Sequence, residues 1–350
     1  MNTAVAQSAP PAPPLPAPFA RGLAAGKNLF VISSDEALLA QEAADALRLA
    51  ARELGFTERQ WFMVSGAHFN WGEVLASGNA LSLFADKQIL DIRIPSGKPG
   101  KDGGEALQQL AAQLAGNPDT LALISLPRLD QQGKKSAWFL ALQSAGVLLD
   151  IPVVERRALP QWIAQRLGAQ GQSAIAGQEG ERSLQWMADR LEGNLLAAHQ
   201  EIMKLALLYP AGALSFEQIS ASVASVARYD VFKLSEAVLG GQVLRTQRML
   251  AGLQAEGEAE VLVHWALAED IRALHRVRLA LDAGQPLPAA MAAARVWGAK
   301  QKLIERLAPR LQLAQTTALL HAAGQVDGIV KGLRQKEWPS NSWAALQRLA

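Results

Sequence analysis

The stretch Leu29-Phe30-Val31-Ile32-Ser33-Ser34-Asp35-Glu36 decides the fold class. Four continuous apolar residues are what a strand buried on both faces requires. Ser33, Ser34 and Asp35 then offer helix caps, and Glu36 to Leu54 carries an apolar stripe through Leu39, Ala43, Leu47 and Leu54. Outward from this unit, strand signals at Trp61–Val64, Ile89–Ile94, Leu121–Ser125 and Val147–Ile151 interleave with helical stretches at Trp71–Ser77, Glu105–Leu114 and Ser136–Gln143. Five strands so arranged predict a parallel α/β sheet covered by helices on both faces. Pro95–Gly104, rich in glycine and lysine, reads as a surface loop.

After Pro152 the strand signal stops. Pro160–Leu167, Glu181–Leu191, Leu195–Leu208 and Phe216–Val223 read as short helices, and longer ones follow at Val261–Leu281 and Ala299–Leu320. The fold class is therefore α/β plus all-α. The expected domains are a disordered Ala/Pro-rich tail over 1–20, an α/β domain over 21–152, a small helical domain over 153–225 and a larger helical domain over 226–350.

Composition narrows the function. The 350 residues are 50% hydrophobic and 19% charged, enough apolar content for sizeable cores, so disorder of the whole chain is excluded. No cysteine is present, which removes disulfides, thiolate zinc sites, iron–sulfur clusters and a cysteine nucleophile together. No segment reads as membrane-spanning: the uncharged first twenty residues hold six prolines, and the uncharged Leu311–Val326 carries Gln312, Gln315, His321 and Gln325. The first positive charge is Arg21, so no signal-peptide pattern is seen, and a cytoplasmic setting is expected.

A parallel sheet with a strand-to-helix turn invites a search for nucleotide chemistry. A phosphate-cradling loop needs glycines, so that backbone N–H groups wrap the phosphates, and a lysine to neutralise them. The turn Ser33-Ser34-Asp35-Glu36 has neither, and two carboxylates stand where phosphates would bind. Lys27 precedes the strand. Gly133-Lys134-Lys135-Ser136 echoes the end of the motif, but position 128 is Arg and no strand-to-helix turn frames it. Other catalytic signatures are missing, and His68, His199, His264, His275 and His321 form no close ligand pair. Glu269 and Asp270 read as a solvated helix edge. No catalytic residue, cofactor site or metal site is expected.

Charge is uneven. Residues 226–350 hold sixteen Lys and Arg against eleven acids, with ten basic residues between Arg272 and Arg334. Lys300, Lys302 and Arg306 in that run are candidate contacts to DNA phosphates, and a plain basic rim on a helical bundle is the alternative. Ala80-Leu81-Ser82-Leu83-Phe84 lies between the breaker Gly78-Asn79 and the charged Asp86-Lys87. Its three large apolar residues suit a short core helix or an exposed anchor for a partner.

Three stretches resemble one family. They are Leu81–Gln88; Leu191-Glu192-Gly193-Asn194-Leu195-Leu196-Ala197-Ala198, continuing through Glu201-Ile202 to Lys204-Leu205; and Ala227-Arg228-Tyr229-Asp230-Val231-Phe232-Lys233-Leu234, followed by Ala237-Val238-Leu239-Gly240. In this order they resemble the delta subunit of the bacterial DNA polymerase III clamp loader, over nearly the whole chain after the tail. The resemblance implies an AAA+-like sheet domain with a degenerate nucleotide site, a small helical lid and a C-terminal helical collar used in oligomerisation. It implies a subunit without catalysis of its own in a DNA-directed DNA polymerase holoenzyme, located in the cytoplasm at the replisome on the nucleoid.

The implied partners are the ring-shaped sliding clamp (beta subunit), the gamma/tau ATPase and delta-prime subunits of a hetero-pentamer, and primer-template DNA through the complex, with no membrane. Leu81, Ser82, Leu83 and Phe84 match the family's clamp-binding element. Many such peptides begin with Gln, and Ala80 departs from that pattern. An active AAA+ ATPase of another remodelling complex and a helical scaffold protein are the alternatives. Burying Leu81, Leu83 and Phe84 contributes roughly 5–9 kcal/mol in all. Association costs at least about 4 kcal/mol, so tight capture of a clamp needs a second contact.

Overall fold

The computed structural model describes residues 14–66, 68–79, 87–223 and 229–350. They fall into two compact units. One runs to Ala188 and includes Leu195–Val223; the other comprises Asp189–Asn194 and the chain from Ala224 to Ala350.

The first unit opens with α1 (Ala17–Ala24), which begins three residues before the expected end of the tail. Pro18 in its first turn has no N–H to lose there. Phe19 is fully buried, edge-on to Phe30 with centroids 5.1 Å apart, so this short helix is held by packing. The α/β layer then follows: β1 (Leu29–Ser34), α2 (Ala37–Glu53), β2 (Phe56–Met63), α3 (Trp71–Asn79), β3 (Lys87–Arg93), α4 (Gly100–Leu114), β4 (Thr120–Leu126), α5 (Ala137–Ala145) and β5 (Val147–Ile151). All strand pairings are parallel, in the order β2-β3-β4-β1-β5. This is the expected five-stranded parallel sheet.

Alternation along the strands divides the core. Leu29, Val31, Leu90, Ile92, Ala122 and Ile124 pack against α3, α4 and α5 on one face. Phe30, Ile32, Ile89, Leu121 and Leu123 pack against α1 and α2 on the other. Right-handed crossovers account for the split, because α2 carries the chain one way along the sheet and α3, α4 and α5 carry it back.

The expected loop Pro95–Gly104 is half helix, since α4 begins at Gly100. Gly103 explains why glycine suits that turn: a Cβ there would lie 2.6 Å from the Trp71 ring. Glycine lets helix and tryptophan close on each other.

Beyond β5 the unit continues as α6 (Leu159–Ala169), β6 (Gln172–Ala174), α7 (Gln178–Leu191), α8 (Leu195–Leu208), β7 (Gly212–Leu214) and α9 (Phe216–Ser222). The expectation of no strands after Pro152 is corrected by β6 and β7, a parallel pair of three residues each. Segments that short carry no periodicity to read. Gln172 is fully enclosed and donates to the carbonyls of Leu205 and Tyr209 at 3.1 and 2.8 Å, which ties the pair to α8.

The second unit is helical: α10 (Val231–Leu239), α11 (Val243–Ala255), α12 (Glu260–Asp282), α13 (Leu287–Ala293), α14 (Gln301–Leu307), α15 (Leu313–Val330) and α16 (Ser342–Leu349). Leu234, Leu250, Val263, Val326 and Leu346 centre one core, and Leu274, Val277, Met291 and Ile304 a second. The helix expected over Ala299–Leu320 is two helices. Pro309 cannot donate to the preceding turn, and Gln312 and Gln315 form a reciprocal cap that starts α15 afresh. Among the described residues no helix is long and apolar enough to cross a membrane.

Two glycine substitutions test this packing in opposite directions. Gly103→Ala should lower stability by about 1–3 kcal/mol, because Trp71 must give way. Gly324→Ala, on an exposed turn of α15 where a Cβ meets nothing within 4 Å, should raise it by about 0.5–1 kcal/mol. Unfolding midpoints in denaturant measure both.

Candidate functional site

The C-terminal ends of β4 and β1 lie side by side, with β5 next to β1 at the sheet edge, and the connections from β1 and β4 leave in opposite directions. In open α/β sheets this switch point is where ligands bind. Here the protein's own side chains close it. Ser34 Oγ accepts the Glu36 N–H at 2.9 Å, and Asp35 Oδ1 accepts the backbone N–H of Arg128 at 3.0 Å. The Arg128 guanidinium donates to Asp150 Oδ1 at 3.0 Å, and Lys134 donates to the other oxygen at 3.3 Å. Burial would raise the Asp150 carboxyl, but hydrogen bonds and charge from Arg128 and Lys134 outweigh it and hold the group below the usual carboxylate range.

Glu36, at the start of α2, is pushed up by burial. A phosphate would meet two carboxylates at this helix end, no lysine of a phosphate loop, and a backbone N–H already bonded to Asp35. The crevice has the address of a nucleotide site and the chemistry of a closed seam.

Leu81, Ser82, Leu83 and Phe84, expected to bind a clamp, lie outside the described residues. The chain on either side of them is tightly held. Gln88, enclosed at the start of β3, donates to the carbonyl of Ser77 at 2.7 Å, and Asn117 donates to that of Gly78 at 3.0 Å. Lys87 donates to Leu54 O at 3.3 Å and lies 5.2 Å from the Phe56 ring centroid. The chain on each side of the 80–86 segment is thus fastened to the sheet layer by residues whose roles depend on distant partners.

The basic run resolves into different environments. Lys300 donates to both oxygens of Asp270, at 2.7 and 2.9 Å. Asp270 is buried, correcting its reading as part of a solvated edge, whereas Glu269 is half-buried and paired with Arg272 and Arg276. Lys302 and Arg306 are exposed on α14. Beside them lies a cleft of about 450 Å³ whose lining includes Arg276, Arg295, Trp297 and Lys300.

Trp297 is 66% exposed. Arg295 has a φ of 56°, the left-handed position after α13 that favours glycine, and the Val296 N–H reaches back to Met291 O at 3.1 Å. An arginine held there at some conformational cost points to a use for its side chain. Charge counting passes over Trp297. The signal that could find it is a tryptophan set among basic residues, the pattern of a base-stacking platform.

The other two motif stretches are structural. Glu192 is paired with Arg245, and Asp189 with Arg248. Tyr229 donates to Asp189 O at 3.3 Å, and Asp230 caps α10 through the N–H groups of Phe232 and Lys233 at 2.6 and 3.3 Å.

The class defined by these features is a mixed α/β protein with a five-stranded parallel sheet, followed by all-α elements. No protein-family model matches the chain. It is 26% identical over 321 residues to DNA polymerase III subunit delta of Escherichia coli, spanning 92% of this chain and 90% of that protein. To the subunit delta of Haemophilus influenzae it is 27% identical over 256 residues, spanning 72% and 71%. A solved structure of the Bacillus subtilis DNA clamp loader delta protein superposes with a TM-score of 0.49 at 12% identity, covering 95% of this chain and 97% of that one. The chain is similar to DNA polymerase III delta subunits along nearly its full length.

The Lys300–Asp270 geometry separates structural from binding roles within the basic run. Lys300→Ala should destabilise the protein by about 2–4 kcal/mol, since it strands a buried carboxylate. Lys302→Ala should change stability by under about 0.5 kcal/mol. Thermal or denaturant unfolding of both variants checks the contrast.

Proposed function

We propose that this chain is the delta subunit of a bacterial clamp loader, which binds the ring-shaped sliding clamp and favours its open state so that the clamp can be placed on primed DNA. The observation that carries the reading is similarity to a DNA polymerase III delta subunit over nine-tenths of both chains. The closed crevice supports a subunit that leaves ATP hydrolysis to its partners, the gamma/tau ATPase subunits, with delta-prime completing a five-membered ring. Leu83 and Phe84 are the anchors for the clamp, with Leu81 and Ser82 completing the element. Firm fastening of Gln88 and Ser77 on either side suits an anchor, because a partner then pulls against the sheet.

The second unit serves as the collar, and its cleft as a contact for the DNA strand. Trp297 offers a face for a base, and Arg295, Lys302 and Arg306 offer charge to phosphates. Lys300 is left out of this role because Asp270 holds it.

Two experiments test the reading. Calorimetry of the full chain with the sliding clamp of the same organism should show binding that Leu83→Ala/Phe84→Ala weakens at least about 100-fold, the scale of two lost hot-spot side chains. Circular dichroism should be unchanged. Undiminished binding by the variant removes the anchor assignment, and no binding by the wild type removes the clamp-loader reading. For the collar, Trp297→Ala in the assembled loader should weaken primer-template binding with its salt dependence unaltered. Lys302→Glu/Arg306→Glu should instead lower the slope of log affinity against log salt by about two. Equal affinity and slope in both variants would return this face to a plain rim.

A further inference from the structure

The first unit contains a charged joint that the proposed function does not use. Glu42 lies on α2, in the second turn after the closed crevice, and Arg166 on α6, in the helical group beyond β5. The guanidinium meets the carboxylate as a fork, Nη1 to Oε1 at 2.6 Å and Nη2 to Oε2 at 2.5 Å, across 124 residues of sequence. The two side chains are 22% and 19% exposed. The other side of the guanidinium lies 4.9 Å from the ring centroid of Trp162, itself almost fully buried. Helix α8 packs against both α2 and α6 and brings His199 beside the pair. Burial, and then the charge of Arg166, hold the His199 imidazole below its usual range.

An exposed single ion pair contributes little, because water screens it and two long side chains lose freedom. This pair differs on each count. It is four-fifths shielded, bidentate and stacked on an aromatic ring, so its geometry is fixed in advance. Breaking one side leaves a charge stranded in a partly dry joint. It also lies close to a crevice where a ligand touching both sheet and helices would sit, and which here is closed by Asp35, Arg128 and Asp150.

We propose that the Glu42–Arg166 fork, seated on Trp162, is a built-in latch that holds the helical group α6–α9 on the sheet layer without any nucleotide, so that the two move as one body. A ligand-held joint opens and closes with occupancy. A joint held by the chain's own side chains stays shut, and the sheet layer then moves with the helical group. The proposal concerns this unit alone and does not depend on which partner it meets.

The chain has no cysteine, so two probes can be placed without background. Nitroxides at Thr57→Cys on β2 and Ala211→Cys beyond α8, both exposed, report the distance between sheet and helical group in the full chain. The wild type should give one narrow distance distribution, the same with and without Mg-ATP. Arg166→Ala and Glu42→Gln should broaden it and raise hydrogen exchange in α6 and α8 at least about tenfold. The charge swap Glu42→Arg/Arg166→Glu should recover at least part of the narrowing. Should Arg166→Ala fail to fold, the near-isosteric Glu42→Gln carries the same test. A narrow distribution and wild-type exchange in Glu42→Gln overturn the latch, as does a wild-type distribution that is broad until ATP narrows it.

Discussion

A carboxylate stands where a phosphate would. Asp35, in the turn between β1 and α2, takes the backbone N–H of Arg128 from the end of β4 and so stitches together the strand ends that flank the sheet's switch point. Arg128 and Lys134 then converge on Asp150 at the end of β5. Strands β4, β1 and β5 are joined at their C-terminal ends by side chains and a backbone amide, the position at which open α/β sheets place a ligand. Once that seam is closed, the layer has no reason to carry phosphate-loop glycines or their lysine. The sheet becomes a scaffold whose edges are available for binding.

The fastened stretch at the edge follows the same logic. Buried Gln88 and half-buried Asn117 hold the last carbonyls of α3, so the end of that helix is tied to the starts of β3 and β4. A frame of this kind suits a protein whose task is to hold a partner in a particular state. Binding energy distorts the partner only if the binder does not yield first. In the second unit, by contrast, Lys300 is withdrawn into a pair with Asp270, and the cleft it lines also includes Trp297 and Arg295.

Much of this was legible from the residues. The strand signals found all five strands of the sheet, though for β2 only its last three residues, because Thr57–Gln60 is polar. Features that depend on a partner distant in sequence were not legible. Lys300 looked like a surface charge because nothing in its own helix reveals Asp270 thirty residues earlier. The α4 start was hidden because Gly103 and Gly104 read as loop until Trp71 and Trp138 are placed beside them. The β6–β7 pair was too short for any period, and Pro309 with Gln312 divided what apolar spacing alone made continuous. The motif residues Glu192, Tyr229 and Asp230 turn out to be a pairing, a hydrogen bond to backbone and a helix cap, roles internal to the fold.

The central claim is that the sheet's switch point is closed by the chain itself. Titration of the purified full-length chain with Mg-ATP by calorimetry tests it most directly. The account predicts no saturable heat up to millimolar nucleotide. Saturable binding at micromolar ATP, abolished by a substitution in the Ser33–Glu36 turn, would contradict it and make this an active nucleotide-binding member of its fold.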